Sequence, residues 1–323
     1  MISVVVPTIR PESMQKFKWA WHDLFRKHEV ILYEVMDGDS LLVRKHFYHE
    51  MTEEIKSFTL PTFPDERWEE LIFNRTDACR NLGFLHAARD YKETRNKWTY
   101  PEVIMTVDDD VTPYNLNDPI QEHLNALFER CPRSNKLTPR YEPISWFAVA
   151  SEYTRGFPYS VRKEAEVWVS HGVWEGVHDH DGPTQLVKGN IPMTFKKGPI
   201  PKGCLFPCSG MNLMFRMEAL PYLYYAPMGR KLGVERFADI FMGTLAKWDL
   251  DELNKAFVTG YSTVYHERAS SVLNNLGEEA KGIKWNENWW KEDSDDPDRR
   301  EYFSKYYELK NKCTDFVCQL VWT

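Results

Sequence analysis

Three consecutive carboxylates, Asp108–Asp109–Asp110, follow directly on the apolar run Val103–Ile–Met–Thr–Val107. On alternate residues of an extended strand end, Asp108 and Asp110 can share a hard divalent cation whose other positions take water and diphosphate oxygens. Such a cation neutralises the charge that grows on a diphosphate as it leaves a carbon atom. The plain alternative is a solvated acidic turn. His266, in Val264–Tyr–His–Glu–Arg–Ala269, follows a short strand-like run and offers an imidazole to complete the cation's shell, or is simply structural.

The second chemical feature is a pair of arginines, Arg155 and Arg162, seven residues apart in a segment crowded with Gly, Pro, His and Asp that runs to Lys188. That composition makes no amphipathic element; it makes a polar, irregular loop positioned by a scaffold. Fixed guanidinium forks match phosphate oxygens, and a pair beside a diphosphate would stabilise a leaving group. Salt bridges to Glu164 or Glu166 are the competing use. Asp37–Gly–Asp39 offers carboxylates to a base or ribose hydroxyl, or is an ordinary Asp-Gly turn. His171, His178, His180, Asp179 and Asp181 imitate a second metal cluster only if their segment is extended. Cys204 and Cys208, followed by Ser209–Gly–Met–Asn212, have no identifiable base beside them and read as pocket lining.

These groups need elements that bring them together. Val4–Val6, ended by Pro7, reads as a buried strand. Met14, Phe17, Trp21, Leu24 and Phe25 then recur at helical spacing after Pro11 and Ser13. Val30–Met36 is a second strand that closes at Asp37, completing a βαβ unit. Thr76 opens a helix carrying Ala78, Leu82, Leu85 and Ala88 on one stripe, and the strand before the aspartates follows. The first 110 residues therefore predict a mostly parallel, Rossmann-like sheet flanked by helices, with ligands at the carboxyl ends of its strands. Asp37, Asp39 and Asp108–Asp110 all fall at such ends. Beyond about residue 140 long Gly/Pro-rich segments interrupt short apolar runs, as functional loops do. The expected organisation is one domain over 1–323, with a nucleotide-binding half at 1–115 and a sugar or acceptor half at 116–323. The acidic stretch 292–298 reads as a solvated turn, and 302–321 as a helical tail packed on the body.

The totals narrow the class. A net charge of −7 over 323 residues gives no broad attraction to nucleic acid or anionic membrane. No run approaches the roughly 18 apolar residues of a membrane span, and the amino terminus lacks signal-peptide character, so a soluble cytoplasmic protein is expected. Twelve tryptophans supply broad, stiff faces for a core or a cleft. The six scattered cysteines lack zinc spacing and are expected reduced.

Taken in order, several of these segments closely resemble the reversibly glycosylated polypeptides, also known as UDP-arabinopyranose mutases. They are Val4–Val–Val–Pro–Thr–Ile–Arg10, Asp37–Gly–Asp39, Asp77–Ala–Cys–Arg80, Val107–Asp–Asp–Asp110 and Arg155–Gly–Phe–Pro–Tyr–Ser–Val–Arg162. Ser170–His–Gly–Val–Trp174, Asp179-x-Asp181, Pro183–Thr–Gln–Leu–Val–Lys188, Gly210–Met–Asn–Leu213 and Tyr265–His266 continue the series. The resemblance implies a GT-A-like glycosyltransferase fold, a divalent metal (Mn2+ or Mg2+), a UDP-sugar and an arginine that is reversibly glycosylated, which maps onto Arg155. It implies catalytic roles for Arg155, Arg162 and Asp239, and cation ligation by Asp108, Asp110 and His266. Thr8, Arg10, Asp37, Asp39, Asp77, Arg80 and Asp109 would then surround the nucleotide. His171, Trp174, Asp181, Gln185, Lys188, Gly210 and Asn212 would line the sugar pocket. The chain departs from the family at Phe237–Ala238–Asp239, where members carry two adjacent aspartates, and it ends in a different tail.

The implied reaction interconverts UDP-L-arabinopyranose and UDP-L-arabinofuranose. A rival reading keeps the donor site but passes arabinose or a related sugar to an external acceptor: a protein, a glycan or a hydroxymethylated DNA base. Lys196, Lys197 and Lys202 could serve such an acceptor, a nucleic acid being the less favoured one. A non-catalytic scaffold is the third reading; retention of both the aspartate triplet and the arginine pair argues against it. Homo- or hetero-oligomers are compatible with all three.

Overall fold

The computed structural model of the chain describes residues 2–38, 41–49, 56–60, 76–94, 102–128, 143–146, 155–162, 164–223, 237–267 and 271–287, with isolated positions from 290 to 318. Asp39, the acidic stretch 292–298 and nearly all of the expected helical tail lie outside the described residues, as does the side chain of Asp77.

The fold is α/β. Strands β1 (Ile2–Thr8), β2 (Val30–Met36) and β5 (Val103–Val107) run parallel, in the order β2-β1-β5, as the βαβ pattern predicts. Two strands extend this half antiparallel beyond β2: β3 (Leu42–Phe47) and then β4 (Lys56–Leu60). On the other side of β5 comes β9 (Asn212–Arg216), antiparallel to β5 and to β7 (Val167–Gly176). β7 pairs parallel with β10 (Ala256–His266), and β10 pairs antiparallel with β6 (Val111–Pro113) and β8 (Gly198–Pro199). One ten-stranded mixed sheet thus runs through both halves of the chain.

Helices cover both faces. In α1 (Pro11–Lys27), Pro11 is tolerated at the start because no helical N–H is needed there, and Arg26 and Lys27 complement the carboxyl end. Its buried stripe is Met14, Phe17, Trp21 and Phe25, with Trp21 stacked 5.6 Å from Phe17 and 5.5 Å from Phe25. Each such aromatic stabilises by roughly 1.5–3 kcal/mol on burial. The Trp21 indole also donates to the carbonyl of Val111 at 2.9 Å, tying α1 to the strand that follows the aspartates. A short 3-10 turn, Asp77–Cys79, leads into α2 (Arg80–Thr94), which sits on β1 and β2 because Gly83 leaves no Cβ to strike Val5.

On the second half lie α3 (Pro119–Phe128), α4 (Gly182–Lys188), α5 (Ala238–Glu252) and α6 (Val272–Asn286). Within α5 a wholly buried ion pair joins Lys247 to Asp251 at 2.6 Å. Lys247 also donates to the Pro201 carbonyl at 3.0 Å, and Asp251 accepts from the Gly203 amide at 2.8 Å. No helix among the described residues is long and apolar enough to cross a membrane.

Candidate functional site

The carboxyl ends of β1, β2 and β5 lie side by side, and parallel pairing continues one step beyond them: the Asp37 amide donates to the Thr8 carbonyl at 2.8 Å. Asp108–Asp110 form the tight turn between β5 and β6, closed by the Val111 amide on the Asp108 carbonyl at 3.2 Å. His266, the last residue of β10, pairs with Val111, and the Glu267 amide donates to the Asp110 carbonyl at 2.9 Å. Strand register therefore brings together two groups separated by more than 150 residues.

Each aspartate has a distinct environment. Asp109 is buried; it accepts from the Thr8 hydroxyl at 2.6 Å and forms a close ion pair with the Arg10 guanidinium. Asp108 forms a close ion pair with Arg80, which opens α2 and also donates to Thr106 Oγ1 at 2.6 Å and the Gly210 carbonyl at 3.4 Å. Asp110 is touched at 3.4 Å by Arg10 and lies 3.9 Å from His266 Nε2. Burial, and next the Asp108 carboxylate, hold Asp110 above the usual carboxylate range.

The imidazole of His266 is oriented for ligation. Its Nδ1 donates to the Val177 carbonyl at 2.7 Å, and its Nε2 faces Asp110 at 3.9 Å. A hydrogen bond fixing one ring nitrogen so that the other can bind a metal is the usual support of a histidine ligand. Among the described residues no three His, Cys, Asp or Glu side chains converge tightly enough to hold an ion alone. The fit is instead to a cation held by Asp110 and His266, with diphosphate and water completing its shell. Charge points the same way. Three carboxylates against two guanidiniums leave a formal −1 on the Asp–Arg cluster, which favours a cation beside it.

Asp239 is attached to the same cluster. Its Oδ2 accepts from the Gly210 amide at 3.3 Å, and the Gly210 carbonyl faces Arg80. As a first-turn acidic residue of α5 it also favours that helix start.

The arginine loop has its own anchorage. Arg162 donates to the Phe157 carbonyl at 2.8 Å and lies 3.9 Å over the Tyr159 ring. Phe157 is buried against Trp146 at 5.5 Å, and the 143–146 segment is held by the Ile144 amide on the Lys202 carbonyl at 3.0 Å. Lys202 sits in the turn gripped by Lys247 and Asp251. Arg155 itself is exposed, and no described contact joins it to the aspartates.

The expected sugar pocket divides. His171 and Trp174 are buried neighbours, ring centroids 6.0 Å apart. Gln185 is buried and donates to the His180 carbonyl. Asp181 caps α4, accepting from the Thr184 amide at 2.9 Å and hydroxyl at 2.7 Å, and is exposed, as is Lys188. Asn212 lies wholly inside the sheet: it accepts from His123 at 2.8 Å and donates to the Val173 carbonyl at 3.1 Å. His123 also meets the Ser170 hydroxyl at 2.8 Å. Ser170 and Asn212 lie in segments singled out in the sequence, but nothing there links them to His123, which is 47 and 89 residues away from them along the chain. Cys208 is wholly buried, and burial raises its thiol pKa, so it is no nucleophile.

Burial holds His123 at about 4 and His171 at about 3, below the roughly 6.5 of an exposed ring. Both rings stay neutral when folded, so their contribution to stability is complete above about pH 6.5 and is lost as pH falls towards 4. Ring nitrogen shifts of both histidines, followed by NMR, are expected to stay flat from about pH 8 to 5. A midpoint near 6.5 for either ring would show that it is solvated.

Residues 1–291 match the protein family described as reversibly glycosylated polypeptide. The chain is 31% identical over 303 residues to UDP-arabinopyranose mutase 1 of Arabidopsis thaliana, covering 88% of this chain and 76% of that protein. It is 30% identical over 303 residues to UDP-arabinopyranose mutase 1 of Oryza sativa subsp. japonica, with coverages of 88% and 75%. A probable UDP-arabinopyranose mutase 1 of Pisum sativum is 31% identical over the same length, again at 88% and 75%.

Proposed function

This chain belongs to the reversibly glycosylated polypeptide family, and on that premise we propose that it is an enzyme interconverting UDP-L-arabinopyranose and UDP-L-arabinofuranose. The observation that carries the reading is the cluster at one end of the sheet. Asp108, Asp109 and Asp110 are set among Arg10, Arg80 and a histidine whose free nitrogen faces Asp110. Asp110 and His266 would hold a divalent cation, Mn2+ or Mg2+, which when bound supplies countercharge to the departing diphosphate.

The isomerisation is balanced without an oxidant. The bond from the anomeric carbon to the β-phosphate oxygen breaks, and its electron pair leaves on UDP. The 4-hydroxyl oxygen replaces the 5-oxygen in the ring, and a proton passes from the former to the latter. UDP then returns to the anomeric carbon. Arg10 and Arg80, already poised on the carboxylates, stabilise the diphosphate while it is detached, and water must be kept from the activated sugar.

Arg155 is assigned to reversible self-glycosylation. A guanidinium nitrogen bonds the anomeric carbon, loses a proton and releases UDP. Because a guanidinium stays protonated and is a poor nucleophile, this adduct is a trap for activated sugar rather than a step of the isomerisation. Arg155→Ala is expected to abolish covalent incorporation from radiolabelled UDP-arabinose; labelling at the wild-type level would place the attachment elsewhere.

Transfer to an external acceptor is the second reading. It is favoured by the exposed rim beside Arg155, where Tyr159 is 82% and Trp146 41% accessible. Incubation with UDP-arabinopyranose and Mn2+, followed by chromatography, separates the two. Furanose product without any acceptor supports the mutase, whereas UDP released only when an acceptor is added supports the transferase. No turnover in either condition rejects both.

A further inference from the structure

We propose that the ring nitrogens of His171, Trp174 and His178 form the subsite for the sugar's hydroxyl groups, an inference that rests on the nucleotide-sugar reading and extends it. All three side chains are buried, at 6%, 7% and 5% exposure. Yet His171 Nε2, Trp174 Nε1 and His178 Nδ1 have no hydrogen-bond partner among the described residues. A buried donor or acceptor left unpaired costs about 1–3 kcal/mol, and more than about nine in ten are paired. Three in one cluster mark a place whose partner arrives from outside the chain.

The rings are contiguous. His171 meets Trp174 at 6.0 Å, Trp174 meets Phe195 at 5.5 Å, and Phe195 meets His178 at 6.1 Å. Phe206 closes the other side of His171 at 5.0 Å. The cluster also adjoins the cation end. Val177, next to His178, accepts from His266 Nδ1 at 2.7 Å and donates its amide to the His266 carbonyl at 3.0 Å.

The chemistry suits a polyol and not a phosphate. The Trp174 indole only donates; a neutral imidazole offers one donor and one acceptor. His171 is kept neutral by burial, and its Nδ1 is occupied by the Thr259 hydroxyl at 3.0 Å. Uncharged, directional groups between aromatic faces recognise hydroxyls and C–H edges together. The Asp–Arg cluster is where the diphosphate belongs. The division of labour is between a charged subsite for UDP and one of ring nitrogens between aromatic faces for the pentose.

Calorimetric titration of UDP and of UDP-arabinopyranose, each with Mn2+, into wild-type and Trp174→Phe protein tests this. Phenylalanine keeps the packing and deletes the indole N–H. UDP affinity is expected to stay within about twofold, while UDP-arabinopyranose weakens about five- to thirty-fold. Equal changes for both ligands, or none, overturn the subsite and leave buried water as the partner of these nitrogens. His178→Gln, checked by circular dichroism, carries the same comparison if Trp174→Phe fails to fold. Wild-type protein that binds neither ligand overturns the nucleotide-sugar reading itself, whereas normal UDP binding with no sugar increment overturns only the subsite.

Discussion

Asp110→Asn protein is expected to fold normally and to lose at least about a hundredfold in turnover of UDP-arabinopyranose. The amide preserves the shape of the side chain and the β5–β6 turn, whose hydrogen bonds are made by backbone groups of Asp108 and Asp110. What it removes is the anion that, among the described residues, faces His266 Nε2 at 3.9 Å. Asp108 and Asp109 cannot substitute, because each is already in a close ion pair with Arg80 or Arg10. Free Mn2+, followed by its EPR signal during titration, is expected to remain high in the variant. Wild-type turnover together with wild-type Mn2+ binding would remove the cation from Asp110.

The largest stability effect is expected at Lys247, far from any reacting atom. Lys247→Met leaves Asp251 buried beside its former partner's place, with the Gly203 amide still on it at 2.8 Å. Breaking one side of a buried pair costs about 3–5 kcal/mol, because an uncompensated charge stays behind. Urea denaturation is expected to show that loss, and the double replacement Lys247→Met with Asp251→Leu to recover most of it. A single variant as stable as wild type would mean that Asp251 takes up a proton at no penalty. The pair also holds the Pro201–Gly203 turn on which the 143–146 segment and then Phe157 rest, so the arginine loop inherits its position from this helix.

The parts of the site that were legible in the sequence are those governed by short-range rules. An apolar pentapeptide ending in three aspartates can only place those carboxylates at a strand end, and the βαβ spacing of the first 36 residues dictates parallel neighbours. The antiparallel entry of β9 between β5 and β7 was not legible, because nothing in Asn212–Arg216 distinguishes a parallel from an antiparallel buried strand. Which aspartate pairs with which arginine was equally hidden, since it depends on where α2 begins over the sheet. Asp181 and Asn212 have side chains suited to ligands, but local geometry claims the first as a helix cap and long-range pairing claims the second for the core. His178 stood out only as one of several histidines; its significance lies in an unpaired nitrogen, which no sequence displays.

Asn212 lies opposite Val107, the residue that precedes the aspartates, and its amide donates to the Val173 carbonyl and approaches Ser262 at 3.5 Å. Gly172 must lack a side chain there, since a Cβ would fall 1.9 Å from that amide nitrogen. A single planar group thus rivets the strand that delivers the acidic triplet to the strands that deliver His266. The spacing between Asp110 and His266, 156 residues apart in the chain, is therefore a property of the rivet.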